Sequence, residues 1–188
     1  MAAATTEVTA RKTDIDGLII FDVTSIGDDR GWFQEKYQKA KLVAAGLTAD
    51  FSVVQTNVSY NKEPGVIRGF HAEPWDKYIS VVTGKVFCAY VDLRPGGTFG
   101  KTVTVELDKD KAVFLPKGVA NGFQTLSEAY YIYSVNDHWS QENYDKYTFV
   151  NLGDPDIGIS WPIPLDQSIM SQRDKNHPML KDVKPMEL

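Results

Sequence analysis

The chain has 188 residues, 43% of them hydrophobic, and a formal charge of -5. That length and apolar content fill one core and one domain, while an acidic balance with scattered lysines and arginines excludes general nucleic-acid binding, which needs a continuous basic surface. No run approaches the ~18 apolar residues of a membrane span, and Met1-Ala-Ala-Ala-Thr-Thr-Glu7 lacks the charged and apolar regions of a secretory signal, so a soluble, cytoplasmic protein is expected.

Short runs with the period of two that marks strands alternate with turn signals along the chain. Leu18–Val23 opens the series. The one helical pattern, Glu35–Ala45, has Tyr37, Leu42 and Val43 as its apolar positions. Phe51–Val58, Val66–His71 and Tyr78–Leu93 follow as strands, the last expected to fold at Gly84 into a hairpin. Lys101–Leu107, Ala112–Leu115, Gly122–Leu126 and Tyr130–Asp137 complete the set, with turns at Arg94-Pro-Gly-Gly97, Asp108-Lys-Asp110 and Pro116-Lys-Gly118. So many strands at short spacing predict an all-β sandwich or jelly-roll barrel with few short helices. Roughly the first dozen residues and the last several read as tails. The lone cysteine, Cys88, can form no internal disulfide and, among Val86, Phe87, Ala89 and Tyr90, reads as an inert strand position.

His71 is one of only three histidines and sits among strand residues between Arg68 and Lys77. An imidazole flanked by cations is the arrangement of a proton-transfer group beside an anion. In a regular strand Arg68 and His71, three apart, would face opposite sides, so a bulge at Gly69 is predicted to turn both inward. In an extended Tyr130–Trp139, Tyr131, Tyr133, Val135, Asp137 and Trp139 share one face.

Val66-Ile-Arg-Gly-Phe-His-Ala-Glu73, Val91-Asp-Leu-Arg94 with Thr98-Phe-Gly-Lys101, Leu115-Pro-Lys-Gly-Val-Ala-Asn-Gly-Phe123, Asp154-Pro-Asp-Ile-Gly-Ile-Ser-Trp-Pro162 and Gly27-Asp-Asp-Arg-Gly-Trp-Phe33 together resemble the dTDP-4-dehydrorhamnose 3,5-epimerase family. The similarity runs in family order over roughly residues 17 to 180. It implies a cupin-type jelly roll with a core over about residues 17–165 of a single domain, a homodimer, and neither metal nor redox cofactor. The implied substrate is a dTDP-linked 4-keto-6-deoxyhexose, whose C3 and C5 hydrogens are acidic because each flanks the ketone.

By the same resemblance His71 is the base and Asp174 its carboxylate partner, with Asp166 the alternative. Tyr133 is the proton donor on the opposite ring face, with Tyr131 its rival. Lys77 is the cation beside the ketone oxygen, where enolate charge accumulates. Arg30 and Arg68 match nucleotide-binding positions, where guanidinium forks suit a diphosphate. Trp139 matches an aromatic ring stacked on thymine, and Glu35, Gln55, Asn57 and Arg173 match further substrate contacts, some contributed by the partner chain. Asn121 stands where many members have a histidine; an amide still donates to a diphosphate but carries no charge.

Singly, these residues also fit blander roles: core or rim aromatics, solvated charges, a helix-starting acid at Glu35. Two other functions compete. A metal-dependent jelly-roll enzyme would gather several histidines, yet Glu73 follows His71 in place of a second histidine, Asn121 offers an amide where a ligand is common, His138 would face opposite Trp139, and His177 lies in a terminal loop. A sugar-nucleotide-binding barrel without chemistry would retain the cations but not all the proton-handling groups. Within the family, inversion at C3 alone or C5 alone remains open.

Overall fold

The computed structural model describes residues 5–187. Fourteen strands carry the fold: β1 (Val8–Lys12), β2 (Ile19–Val23), β3 (Ile26–Asp28), β4 (Gly31–Phe33), β5 (Gln55–Asn61), β6 (Val66–Ala72), β7 (Lys77–Thr83), β8 (Val86–Asp92), β9 (Thr102–Leu107), β10 (Lys111–Leu115), β11 (Val119–Thr125), β12 (Ala129–Val135), β13 (Thr148–Phe149) and β14 (Ile169–Met170). Three short helices join them, α1 (Lys39–Ala45), α2 (Gln141–Tyr144) and α3 (Gln172–Lys175). One sheet runs β1-β2-β10-β7-β12-β5; the other runs β13-β6-β11-β8-β9, with β14 sharing the β6 edge; β3 and β4 form a separate hairpin. From β5 to β12 the chain changes sheet at every connection except β8 to β9, the weave of a jelly roll.

This weave corrects the hairpin expected at Gly84. β7 and β8 lie in different sheets, and the turn at Gly84 carries the chain across the barrel. Gly84 has φ 85°, and a Cβ there would fall 2.0 Å from the Glu128 carbonyl oxygen, so only glycine fits the crossing.

Much of each outer face of the barrel is covered, which explains strands such as β7 and β8 that are buried at nearly every position, whereas β5 alternates and leaves Val58 and Tyr60 exposed. Between the sheets, Ile79, Val81, Val86, Cys88, Tyr90, Val113 and Leu115 form the central core. Outside the first sheet, Phe21, Tyr78, Ala112 and Phe114 pack under Leu42, Leu47 and Phe51 around α1. Outside the second sheet, Phe70, Ala89, Val91 and Ala120 are covered by Val150, Leu152, Ile157 and Met186. Cys88 lies in the inner core, where burial pushes its thiol up to about 12, as an inert position requires.

Several boundaries differ from the expectation. Val8–Lys12 is no tail but an edge strand on β2, and Met186 is buried; residues 1–4 and 188 of the expected tails lie outside the described residues. The helix starts at Lys39 rather than Glu35, because Glu35 is held before it by Thr6, Lys41 and Gln38. Phe51 anchors a loop in the α1 cluster, so pairing with β12 begins only at Gln55 and runs to Asn61. β12 stops at Val135, since Asn136 turns to exchange hydrogen bonds with Asp76. Asp92, Arg94 and Thr98 are architectural: Arg94 and Thr98 both donate to the buried Asp92 carboxylate. No helix among the described residues is long and apolar enough to cross a membrane.

Candidate active site

β6 and β11 set the site's geometry. Asn121 pairs with His71 and Phe123 with Arg68, so β6 carries one residue more than β11 between these pairs. This is the predicted bulge. Gly69 sits in it with φ 130°, and a Cβ there would lie 2.6 Å from the Gly122 Cα, so two glycines allow the strands to close over the distortion. As a result Arg68 and His71 line the same cavity, as anticipated.

That cavity, of about 220 Å³, lies between the sheets and is also lined by Ser59, Glu73, Lys77, Asn121, Phe123, Tyr131 and Tyr133. It is smaller than the ~300–1,000 Å³ of pockets that enclose a drug-sized ligand. A single sugar-sized ring fits inside; anything larger attached to it must lie at the mouth.

His71 enters from the second sheet. Its Nε2 lies 3.2 Å from Asp174 Oδ1, which leaves Nδ1 as the nitrogen without that partner. Asp174 is placed by a local device: the Ser171 hydroxyl caps α3 by accepting from the Asp174 backbone N–H at 3.1 Å, directly after β14 pairs with β6. Burial alone would raise the Asp174 carboxyl, but the hydrogen bond with His71 and the nearby His71 and His177 rings hold it below the usual carboxylate range. Asp166, in an exposed turn, makes no such contact with His71.

Tyr133 and Lys77 enter from the first sheet, on β12 and at the start of β7. Burial first, then the Glu73 carboxylate, pushes the Tyr133 phenol up to about 12, with Arg68 acting in the opposite sense. It therefore stays a proton-bearing group across the neutral range. Tyr131 also borders the cavity but is stacked on Phe123 at 4.2 Å, in the apolar core. Lys77 Nζ lies 2.6 Å from Glu73 Oε1, donates to Asn121 Oδ1 at 2.9 Å and sits 5.3 Å from the centre of the Tyr133 ring. The pair is almost dry, with Lys77 5% and Glu73 8% exposed, so its partners fix the ammonium in one position. Arg68 Nε donates to Asn61 Oδ1 at 3.2 Å at the rim.

The remaining predicted residues are not gathered into the cavity. Arg30 is exposed in the β3–β4 turn and paired with Asp28. Glu35 is engaged by Thr6 and Lys41. Gln55 donates to Asn57 Oδ1 at 2.7 Å and accepts from the Trp139 backbone N–H at 3.0 Å, which ties the exposed Trp139 loop to β5. Because β12 ends before Asp137, Trp139 does not share the inward face of Tyr133. Arg173 lies with its guanidinium over Tyr144 and Phe149, at 4.7 and 5.4 Å.

Two groups were missed by sequence reasoning. Glu73 was read only as a non-histidine, although its i,i+4 spacing to Lys77 across a turn was visible. His177, assigned to a terminal loop, is buried with its Nε2 3.8 Å from Asp174 Oδ1; nothing local in the sequence signals that approach.

Comparison with known proteins extends this geometry. The family model described as dTDP-4-dehydrorhamnose 3,5-epimerase matches residues 12–182. A Streptococcus pyogenes protein named RmlC homolog is 50% identical, over 93% of this chain and 90% of its own. A dTDP-4-dehydrorhamnose 3,5-epimerase of Methanothermobacter thermautotrophicus is 35% identical, over 91% and 94%. Among solved structures, RmlC from Streptococcus suis in complex with dTDP-D-xylose superposes with TM-score 0.89 at 48% identity, covering 95% of this chain and 94% of that one. The Legionella pneumophila enzyme in complex with dTDP-4-keto-L-rhamnose gives 0.85 at 30% identity, covering 97% and 100%. With the match spanning both sheets and the C-terminal segment that delivers Asp174, the chain belongs to the dTDP-4-dehydrorhamnose 3,5-epimerase family.

Proposed function

We propose that this protein inverts C3 and C5 of dTDP-4-dehydro-6-deoxy-D-glucose to give dTDP-4-dehydro-L-rhamnose, a step of dTDP-L-rhamnose biosynthesis. The observation that carries the reading is the placement of His71 and Tyr133 on opposite sheets, facing one sugar-sized cavity with Lys77 beside them. Epimerisation next to a ketone needs that arrangement: a base on one ring face, a donor on the other and a positive group at the oxygen.

In this reading His71 takes the proton from C3 and then C5, and Asp174 fixes its tautomer and stabilises the imidazolium. Lys77 holds the enolate oxygen as a compact point charge. Tyr133 returns the proton on the far face. The reaction is redox-neutral, since the proton removed is replaced by another, so its balance calls for no electron carrier.

The nucleotide lies at the mouth, with Arg68 and the Asn121 amide at the diphosphate. Asn121 Oδ1 is already occupied by Lys77, so its Nδ2 is the donor left for phosphate. Arg30, Glu35, Gln55, Asn57, Trp139 and Arg173 contribute substrate contacts, several of them to the site of a second copy. A homodimer is supported by the free outer edge of β5, where Val54, Val58 and Tyr60, with Tyr130 beside them, present exposed apolar side chains. A cytoplasmic location suits a charged substrate that cannot cross a bilayer unaided.

The test is to incubate the protein with dTDP-4-dehydro-6-deoxy-D-glucose and determine the product's ring configuration by NMR. Inversion at both carbons is expected; inversion at one would assign a single-site epimerase, and unchanged sugar would reject the activity. Sedimentation of the wild type against Val58→Glu checks the dimer, with a shift toward monomer expected.

A further inference from the structure

The carboxylate of Asp174 has a second imidazole neighbour for which the proposed reaction has no use. His177 is 8% exposed, tilted against Phe149 at 4.8 Å and edge-on to His71 at 5.5 Å between ring centres. Its Nε2 lies 3.8 Å from the Asp174 Oδ1 on which His71 Nε2 converges at 3.2 Å. Neither ring nitrogen of His177 makes a hydrogen bond of normal geometry to a described residue, although the Gly69 backbone lies near enough to act on the ring. Leaving such a group buried without a close partner is costly, so the position calls for a ligand or another explanation.

We propose that His71, Asp174 and His177 form a binding site for a divalent transition-metal ion, zinc fitting best, through which the ion inhibits the enzyme by capturing the base. One ligand atom from each of the three residues lies within 4.8 Å of the other two. Ligands held about 2.0–2.2 Å from a tetrahedral zinc ion lie roughly 3.3 Å apart. The two spacings to Asp174, 3.2 and 3.8 Å, are close to that value, and the spacing between the two imidazoles, within 4.8 Å, requires the rings to draw together on binding. Two imidazoles and one carboxylate favour zinc, cobalt, nickel or copper over magnesium or calcium, which prefer all-oxygen sites. Three protein ligands leave a fourth position open, and His71 borders the substrate cavity.

Binding replaces the proton shared by His71 and Asp174, which passes to solvent. Two cations face the cluster: Arg173, held over the Tyr144 and Phe149 rings, and Arg68, which lines the cavities beside His71 and Asp174. The ion and the ketosugar then compete for one imidazole. Inhibition as a consequence rests on the epimerase reading; the binding itself does not.

The test is calorimetric titration of the metal-stripped full chain with Zn²⁺ alone. One saturable site per chain is expected, weakened in His177→Gln by more than the ~10-fold that even an outer-shell partner is worth. The exposed His138 lies outside the cluster, so His138→Gln should bind as the wild type does. If His177→Gln does not fold, the visible absorption of Co²⁺ bound to the wild type, and its displacement by Zn²⁺, gives a reading without the variant. No saturable binding, binding equally tight in folded His177→Gln, or no cobalt spectrum overturns the site. Zinc should also stop hydrogen exchange into the sugar and a chelator should restore it; continued exchange by the zinc-loaded protein overturns the inhibition. Metal-free protein that never exchanges would refute the epimerase reading while leaving the zinc titration interpretable.

Discussion

His71, Lys77 and Tyr133 stand on paired strands of two sheets and face one another across a single cavity, whereas Arg30, Glu35 and Trp139 stand on hairpins and loops at the periphery and border none of it. The first group is fixed by ladder register and by buried partners such as Glu73 and Asp174. The second is tied to near neighbours in the chain or left exposed, with Trp139 56% accessible. In the proposed reaction the first group would supply the proton chemistry, and the second would add to the grip of Arg68 and Asn121 on the nucleotide, in part across a dimer. Changes in the first group should act on turnover, and changes in the second on substrate affinity.

The largest expected effect is on turnover. His71→Asn removes the base from a half-buried site with little cost to the fold, and kcat should fall by about 10²–10⁴-fold. Loss at one carbon only would divide the cavity's labour between two bases. Next comes the dry pair behind it. Lys77→Met strands the Glu73 carboxylate and should cost about 3–5 kcal/mol of stability, most of which the double variant Glu73→Gln/Lys77→Met recovers. Denaturant unfolding of the four proteins measures this, and equal loss in the single and double variants would contradict the pairing.

At the periphery, Trp139→Ala should raise KM by the ~1–3 kcal/mol of a lost base-stacking contact and leave kcat and stability nearly unchanged. A fall in kcat alone would move Trp139 into the first group. The smallest effect is at alkaline pH. The folded Tyr133 phenol is raised to about 12 by burial and Glu73, so its contribution to stability is complete below the unfolded value near ~10 and is lost as pH rises through the folded value. The stability of Tyr133→Phe relative to wild type should therefore improve between about pH 10 and 12, and a constant difference would mean that the phenol is not so buried.

What could be read from the sequence follows the same division. Period-two patterns located the strands, and Gly69 between two inward candidates marked the bulge, because both signals are local. The Gly84 crossing is not legible, because in sequence a tight turn after a strand looks the same whether the next strand pairs with it or joins the opposite sheet. The ends of β12 and the start of α1 were misplaced because tertiary partners, Asp76 for Asn136 and Thr6 for Glu35, set them. Asp174 is legible only through the family resemblance, and the approach of His177 depends on how the C-terminal segment folds back over the second sheet, with Asn151 holding the His177 carbonyl.

The most direct measurement is NMR of the sugar after the wild-type protein and His71→Asn are each incubated with dTDP-4-dehydro-6-deoxy-D-glucose in deuterated water. Deuterium at both C3 and C5 with the wild type, and at neither with His71→Asn, is the expected result. Exchange that persists at either carbon without the imidazole, or that never occurs with it, would contradict a single base serving both positions.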